Sequence, residues 1–412
     1  MLPLFYLIFA LPFNFNLLFR AWEQRKLGEL GEVTTGKAFS STSFDNQGEY
    51  LVITNKNISD SSRSQNIITN RISISDDEII QRYRLDGENI LVTMDGVNLG
   101  KTAMYSNANA LLAQRVGRIK SNQLEFIYQI TSSNTFLRTM QTLSVGNAIK
   151  HISLKQISEY SSLGPKDIIE RKKIGSFFKK LDNAIALHQR KLDALKLMKK
   201  AFSQQIFPEN NRKKPKIRFT SFYEEWEQRK IGEYGYFYYG KSAPKWSVAQ
   251  DATTPCVRYG ELYTKFGPEI DIVHSYTNID KSNLKFSSGN EVLVPRVGEN
   301  PLDFANCSWL SISNVAIGEM ISVYNTEQYP LFIAYYFRSK MKYEFAKRVE
   351  GGNVSNLYYS YLEDILISVP SIEEQKKIAE FLNKIDITIN LLQNKLGRIK
   401  ELKKAYLQNM FI

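Results

Sequence analysis

The chain contains an internal sequence duplication, which restricts its fold more than any other feature. WEQRKLG at residues 22–28 returns as WEQRKIG at 226–232, an offset of 204 residues (226 minus 22). The same offset relates 169–207 to 373–411, while the sequences in between diverge and keep only matched turn residues. A duplicated unit of about 200 residues predicts two copies of one fold, and the different interiors predict two different binding surfaces.

The first part of each repeat is predicted to be β-rich. Short apolar segments such as ENILVTMDG (88–96) and NEVLVPRVG (290–298) are bounded by glycine, asparagine and proline. This pattern is typical of strands joined by turns. A few short helices are expected among them, for example over 329–348.

The second part of each repeat is predicted to be one long helix with an apolar seam. Alternating steps of four and three residues meet mainly apolar side chains, which predicts a coiled coil; a lone amphipathic helix on a globular core is the alternative. Lys199 and Lys403 interrupt the seam at equivalent places. We expect snorkelling stems there, with a register or docking role as the alternative. The seam residues are Ile174, Phe178, Leu181, Ile185, Leu192, Leu195 and Phe202 in the first helix, and Ile378, Leu382, Ile385, Ile389, Leu392, Leu396 and Ile399 in the second.

The order head, helix, head, helix predicts an α+β protein with a pseudo-two-fold internal repeat. Two β-rich domains would be separated by two long antiparallel coiled-coil helices, each about 60 Å long, and a rod of that length covers at most about 18 base pairs of duplex. The predicted segments are an apolar N-terminal arm (1–21), a first head (22–165), a central helical spacer (166–207), a basic linker (208–225), a second head (226–370) and a C-terminal helical spacer (371–412).

The charge indicates a polyanionic partner and places most of the basic residues outside the heads. The formal net charge is +12. Segment 166–207 has eleven Lys and Arg against four Asp and Glu, segment 208–221 five against one, and segment 371–412 eight against five. The heads are therefore nearly neutral, and a nucleic-acid surface on them must come from the arrangement of a few side chains.

The cysteines and the N-terminus indicate a cytoplasmic protein. Cys256 and Cys307 are the two cysteines; they cannot form a zinc quartet, and they fit a reduced cytosol. Residues 1–19 are apolar but lack a basic leader and are interrupted by proline and asparagine. We expect an apolar arm or a start codon placed too far upstream, with a signal peptide or anchor as the alternative.

Catalytic motifs are weak. Residues 235–242 satisfy the P-loop pattern GxxxxGK[ST], but the preceding EWEQRKIGE does not resemble a buried strand, and Pro244 follows closely. The three histidines lack a metal-binding spacing, and neither GxSxG nor the adenine-methyltransferase tetrad [DN]PP[YFW] occurs. We expect no catalytic site and no metal in this chain.

Cationic, amide and aromatic side chains in turn-rich stretches are the candidates for DNA contact. Arginine can bind guanine edges, asparagine adenine edges, and lysine phosphate. The candidates are Lys37, Lys56, Asn57, Arg63, Arg82, Arg84 and Lys101 in the first head, and Lys241, Lys245, Trp246, Arg258, Tyr259, Tyr263 and Arg296 in the second.

Taken together, these motifs resemble the type I restriction–modification specificity (S, HsdS) subunit family. The resemblance lies in the WEQRKLGE and WEQRKIGE openings, the GK turns, the GENILV and GNEVLV strands, and the endings near IERKKIG and EEQKKIA. It covers nearly the whole chain from Trp22, in duplicate; the apolar N-terminus departs from it.

The resemblance implies two target-recognition domains, each reading half of a bipartite DNA site, with helices that set the unread gap. It also implies double-stranded DNA, two methyltransferase subunits and restriction subunits as partners. S-adenosylmethionine, ATP and Mg would be bound by those partners, and no cofactor by this chain. The alternative function is a coiled-coil scaffold with two protein-binding heads.

Overall fold

The computed structural model describes residues 22–58, 69–146, 150–209, 212–241, 243–248 and 251–410. The predicted apolar arm and Arg63 lie outside these residues. The chain divides into two compact units, here called unit 1 and unit 2. Unit 1 runs to His188 and includes the segment from Leu396; unit 2 is Gln189–Lys395.

Unit 1 is built on a six-stranded sheet in the order β2-β7-β5-β6-β3-β4, beside a two-stranded sheet of β1 and β8. All pairings are antiparallel except β3 with β6. The strands are β1 (Trp22–Lys26), β2 (Glu32–Thr35), β3 (Tyr50–Ile53), β4 (Arg71–Ile72), β5 (Arg84–Thr93), β6 (Thr102–Leu112), β7 (Val116–Lys120) and β8 (Ser161–Pro165). The short helices are α1 (Leu27–Leu30), α2 (Asp77–Tyr83), α3 (Leu124–Thr131), α4 (Asn134–Leu143) and α5 (Leu154–Glu159).

Unit 2 keeps part of this frame and elaborates it. Its five-stranded sheet has the order β10-β19-β15-β17-β12, and a four-stranded sheet has the order β13-β11-β18-β14. Strands β16, β21 and β20 form a third sheet, and β22 pairs with β9. The strands are β9 (Glu227–Lys230), β10 (Gly235–Tyr239), β11 (Thr254–Val257), β12 (Glu269–Ile270), β13 (Ser275–Thr277), β14 (Phe286–Ser288), β15 (Glu291–Pro295), β16 (Val297–Gly298), β17 (Ser308–Leu310), β18 (Ser313–Ile317), β19 (Ile321–Thr326), β20 (Glu350–Gly351), β21 (Ser355–Asn356) and β22 (Leu366–Val369).

The two units share a frame of strands, although most of these strands have diverged in sequence. β2, β7 and β5 in unit 1 have the same order as β10, β19 and β15 in unit 2, and β1 with β8 corresponds to β9 with β22. The helix predicted over 329–348 is present as two shorter helices. Unit 2 has the short helices α7 (Tyr259–Thr264), α8 (Pro330–Lys340) and α9 (Lys342–Ala346). The predicted α+β class with an internal repeat is confirmed.

The two long helices are α6 (Ile168–Gln205) and α10 (Ile372–Met410). Every predicted seam residue is buried or half-buried, whereas the off-seam Leu187 and Leu391 are exposed. The seam does not serve only helix pairing, however. Phe178 belongs to the core of unit 1 together with Phe126 of α3, because each head covers the first turns of the helix that follows it.

Within unit 1 the two helix segments run antiparallel. The rings of Phe177 and Tyr406 meet edge to face with centroids 5.2 Å apart, and Lys403 Nζ lies 2.6 Å from Asp182 Oδ1. Gly175 lets α6 approach α3, since a Cβ there would lie 2.6 Å from the backbone nitrogen of Phe126.

Within unit 2 the helix segments are also antiparallel and repeat the same contacts. Phe202 and Phe381 have ring centroids 5.1 Å apart, and Lys199 Nζ lies 2.5 Å from Asp386 Oδ1. Because Lys199 and Lys403, like Asp182 and Asp386, are related by the 204-residue offset, the duplication reproduces an ion pair as well as an apolar seam.

The basic linker is packed onto unit 2. Arg218 forms two hydrogen bonds of 2.8 Å to the carboxylate of Glu374, whose side chain is 1% exposed. Lys216 pairs with Glu209 at 2.6 Å. These contacts neutralise part of the linker's positive charge locally, so less of it is available for a polyanion than its composition suggests.

No described helix combines the length and apolar character that a membrane crossing requires.

Candidate nucleic-acid interface

The Gly-Lys turn of each repeat marks one end of the shared sheet. A Cβ on Gly36 would lie 2.1 Å from the carbonyl oxygen of Leu112, and one on Gly240 would lie 2.1 Å from that of Gly318. Only glycine therefore fits, because the turn packs against the backbone that enters β7 or β19. The lysines that follow, Lys37 and Lys241, are anchored through their backbone amides to Leu112 and Ile317.

In unit 1 this end of the sheet brings together several of the predicted residues. Lys101 lies in the loop that leaves β5, where the amide of Thr93 donates to the carbonyl of Lys101. Lys56 is exposed beside Asn55, whose side chain donates to Asp95 at the end of β5. We name Lys37, Lys56, Lys101, Asp95 and Arg115 the strand-end cluster of unit 1.

Two other predicted arginines lie at the start of β5. Arg84 begins β5 and Arg82 precedes it, so both are at the strand end opposite to Asp95. Arg84 pairs with Asp86 at 3.2 Å, and Arg82 packs over the Tyr83 ring at 5.5 Å. The start of β5 nevertheless approaches the Gly-Lys turn, because Arg84 pairs with Leu111 and the next carbonyl, that of Leu112, accepts the amide of Lys37.

In unit 2 the equivalent end carries aromatic rings as well as cations. The Arg296 guanidinium lies 4.5 Å from the centroid of Tyr239 and 5.5 Å from that of Tyr358. Lys285 donates to the carbonyl of Tyr239 at 2.8 Å. Lys241 follows in the Gly-Lys turn, and these five residues form the strand-end cluster of unit 2.

Lys245 and Trp246 form a second, exposed surface in unit 2. Both lie in a short 3₁₀ turn after the Gly-Lys turn, and the Trp246 side chain is 81% exposed. An exposed tryptophan beside a lysine suits nucleic acid, since the ring can pack on a sugar or an unstacked base while the ammonium contacts phosphate. Tyr259 is also exposed, at the start of α7.

Three predicted contact residues have internal roles. Asn57 Oδ1 accepts hydrogen bonds from Thr54 and thereby caps a 3₁₀ turn. Tyr263 donates its hydroxyl to the carbonyl of Val297 at 2.9 Å, and burial raises the pKa of this tyrosine. Arg258 is the N-cap residue of α7, and its backbone amide donates to Glu261. These contacts leave less of the Asn57 and Tyr263 side chains for a base edge, whereas the contact of Arg258 to Glu261 uses only its backbone amide.

Sequence reasoning missed Arg115, Asp95, Lys285, Tyr239 and Tyr358. Tyr239 was hidden inside the P-loop-like motif. Arg115 and Asp95 are 20 residues apart, and only the pairing of β5 with β7 brings them into contact.

The interpretation of the motif at residues 235–242 as a P-loop does not fit the structure. Residues Gly235–Tyr239 form β10, which pairs along its whole length with β19. A phosphate-binding loop needs free backbone amides, whereas this strand sits in a ladder. Among the described residues, no three His, Cys, Asp or Glu side chains are grouped to hold a metal ion.

The comparisons with known proteins decide the family. The family model described as the type I restriction modification DNA specificity domain matches twice, over residues 20–197 and 223–401. The chain belongs to this family. It is thus a type I restriction–modification specificity subunit, the component that recognises DNA sequence.

Individual relatives agree with the family match. The specificity subunit of the type I restriction enzyme MjaVIII from Methanocaldococcus jannaschii is 25% identical over 409 residues, covering 93% of this chain and 90% of its own. A second protein of that organism, assigned as the MjaX specificity subunit, is 24% identical over 412 residues, covering 93% and 91%. The S subunit structure from M. genitalium matches with a TM-score of 0.61 and 12% identity, covering 96% of this chain and 98% of the other; this likeness concerns the fold.

Proposed function

We propose that this type I specificity subunit reads a bipartite DNA site, with unit 1 contacting one half and unit 2 the other. The observation that carries the proposal is the shared frame with different strand-end clusters. The same strand order and the same Gly-Lys turn recur in both units. The cluster of unit 1 contains an ion pair, whereas that of unit 2 contains tyrosines. Similar frames with different contact residues support two different half-sites.

We further propose that α6 and α10 set the gap between the half-sites and dock two methyltransferase subunits. Off-seam apolar residues support docking, since Leu187 and Leu391 are related by the repeat and both are exposed. Catalysis would belong to the partners: the methyltransferase subunits would bind S-adenosylmethionine, and restriction subunits would use ATP and Mg. This chain would bind no cofactor and would act in the cytoplasm.

The experiment that tests the proposal is sequencing of the host methylome with and without the gene, in a strain whose partner genes are active. We expect one bipartite adenine-methylated motif to disappear with the gene. Persistence of every such motif would overturn the proposal. A salt-sensitive complex with duplex DNA carrying the motif would separate it from the alternative of a protein-binding scaffold.

The spacing role has its own test. One heptad inserted at equivalent levels of α6 and α10 adds about 10 Å, which is about three base pairs of duplex. We expect the unread gap to lengthen by that amount while both half-sites keep their bases. A motif with an unchanged gap would contradict the spacing role and leave the reading role intact.

A further inference from the structure

Each unit has one arginine at an equivalent place in its sheet. The place is defined by two residues joined by a backbone hydrogen bond, and the arginine is the acceptor residue in unit 1 and the donor residue in unit 2. Met94 follows β5 and its amide donates to the carbonyl of Arg115, which precedes β7, at 3.0 Å. In unit 2 the amide of Arg296, which follows β15, donates to the carbonyl of Met320, which precedes β19, at 3.2 Å. Arginine and methionine have thus exchanged positions in an otherwise equivalent pair.

A third segment confirms that the places are equivalent. The amide of Ile152 donates to the carbonyl of Met94, and the amide of Leu357 donates to that of Arg296, both at 2.8 Å. Three backbone segments therefore meet in the same way in each unit. Each meeting point lies beside the Gly-Lys turn, and each carries one guanidinium.

Arg115 is held in a defined orientation. Its backbone is in the left-handed region, with φ of 67°, which is unfavourable for a residue with a Cβ and is often found at functional sites. Its Nη1 donates to Asp95 Oδ2 at 2.9 Å, and the Asp95 carboxylate, 5% exposed, also accepts from Asn55. The Arg115 side chain itself is 61% exposed. Its Nε and Nη2 make no hydrogen bond to the described residues, so one edge of the fork stays available.

The arginine of unit 2 is held differently. Arg296 lies against the rings of Tyr239 and Tyr358, and no described carboxylate pairs with it. Stacking on aromatic faces fixes the guanidinium plane and leaves its N–H edge to be satisfied by another group. Its Nε is buried without a hydrogen-bond partner among the described residues, so any contact with a ligand would be made by the Nη groups.

The chemistry of the Arg115 site favours a base edge over a phosphate. Asp95 neutralises the guanidinium, which weakens its attraction to phosphate, but the two remaining parallel donors still match the O6 and N7 acceptors of guanine. The site opens into a cleft of about 670 Å³ lined by Asp95, Gln114, Arg115 and His151, among others. We propose that Arg115 and Arg296 are the matched base-reading residues of the two heads, and that each contacts a guanine in its own half-site. This inference rests on the proposed function.

The test uses the full chain in complex with its methyltransferase partner. The methylome is determined for the wild type, Arg115→Gln and Arg296→Gln. Matched controls are Arg25→Gln and Arg229→Gln, which are related by the repeat and each pair with a glutamate two residues earlier, away from the clusters. We expect Arg115→Gln to relax one guanine position in one half-site, Arg296→Gln to relax one in the other, and both controls to keep the motif.

Modified DNA tests the same contact without changing the protein. Replacing the assigned guanine by 7-deazaguanine removes N7, and wild-type affinity should fall roughly ten-fold to a hundred-fold. Arg115→Gln should then lose less affinity on that duplex than on the unmodified one, because one of the two hydrogen bonds to the base is already missing. This arm also decides the matter if the variant does not fold, which circular dichroism would reveal.

Asp95→Asn tests the positioning role of the carboxylate. We expect it to relax the same guanine position as Arg115→Gln while leaving the other half-site unchanged. A purely structural role would instead lower occupancy at every base equally.

Several results would overturn the inference while leaving the proposed function intact. These are a wild-type bipartite motif that lacks guanine in either half, an unchanged motif in both arginine variants, or a uniform loss at all bases together with a shallower salt dependence, which would indicate phosphate contact. Absence of any bipartite motif in the wild type would instead remove the proposed function itself.

Discussion

Lys403 of α10 pairs with Asp182 of α6 at 2.6 Å, and its repeat-related counterpart Lys199 pairs with Asp386 at 2.5 Å. Both lysines interrupt an apolar seam, and both aspartates are largely buried. Of the two roles considered from the sequence, the contacts favour setting the register over snorkelling, since an ion pair on a seam is satisfied in only one alignment of the helices.

Reversing one charge of this pair should destabilise the fold, and reversing both should restore part of the loss. We expect Lys403→Asp or Asp182→Lys to lower the free energy of unfolding by about 2 kcal/mol, because each leaves like charges in contact. The double variant should recover about 1 kcal/mol or more. Urea unfolding monitored by circular dichroism measures the cycle, and Lys400→Asp, at an exposed position of α10, should change little. Additive effects of the two single changes would argue against a coupled pair.

Glu170 and Glu374 occupy the same helix position in the two repeats. Substitution by glutamine should nevertheless change the free energy of unfolding in opposite directions at the two positions. Glu374 binds Arg218, so Glu374→Gln should cost about 3 kcal/mol. Burial raises the pKa of Glu170, although a hydrogen bond with Trp22 opposes this. A carboxyl with a raised folded pKa stabilises the fold below its unfolded pKa and loses that contribution as the pH rises through the folded pKa.

Glu170→Gln should therefore gain stability relative to wild type as the pH rises from about 4 to about 7. Thermal unfolding across that range measures the difference. If the stability of the variant relative to the wild type were the same at every pH, burial would not raise the pKa of Glu170.

The glycines of the Gly-Lys turns should not tolerate a methyl group. Gly36→Ala and Gly240→Ala place a Cβ 2.1 Å from a backbone carbonyl, so we expect losses of about 3 kcal/mol or more and reduced soluble yield. Gly397→Ala is the matched control, because nothing lies within 4 Å of its added Cβ in α10. That variant should gain about 1 kcal/mol from helix propensity. Equal melting temperatures for all three would contradict the packing of the turns.

Exposed lysines should contribute to DNA affinity without contributing to sequence preference. Lys56→Ala and Lys245→Ala should each weaken binding to all duplexes alike and reduce the slope of log K against log salt by about 1. Titrations of the methyltransferase complex at several salt concentrations measure both quantities. A change in the methylated motif in either variant would instead indicate a base contact.

The sequence predicted more of the fold than of the candidate site. The repeat offset and the heptad seam predicted two like units and two long helices, because both are periodic signals along the chain. The seam predicted Phe178 as a helix-pairing residue but not its place in the core with Phe126, since that contact depends on how a head covers its own helix.

The strand-end clusters were not predicted, for a related reason. Arg115 meets Asp95, and Arg296 meets Tyr239, through strand pairings that local patterns cannot rank. Arg296 was predicted from its residue type and its place in a turn-rich stretch, whereas Arg115 was not. The sequence also could not show that Asn57 and Tyr263 form hydrogen bonds within the protein.

The repeated ion pair has a consequence for how such proteins can change. Each repeat carries its aspartate in the first half of its long helix and its lysine toward the end, so any two repeats bring complementary charges. A gene segment encoding one head could be replaced by a foreign one, through recombination at the WEQRK and KKI segments, without altering this match. New specificities could therefore arise by exchanging whole modules, with the pairing of the helices left as it was.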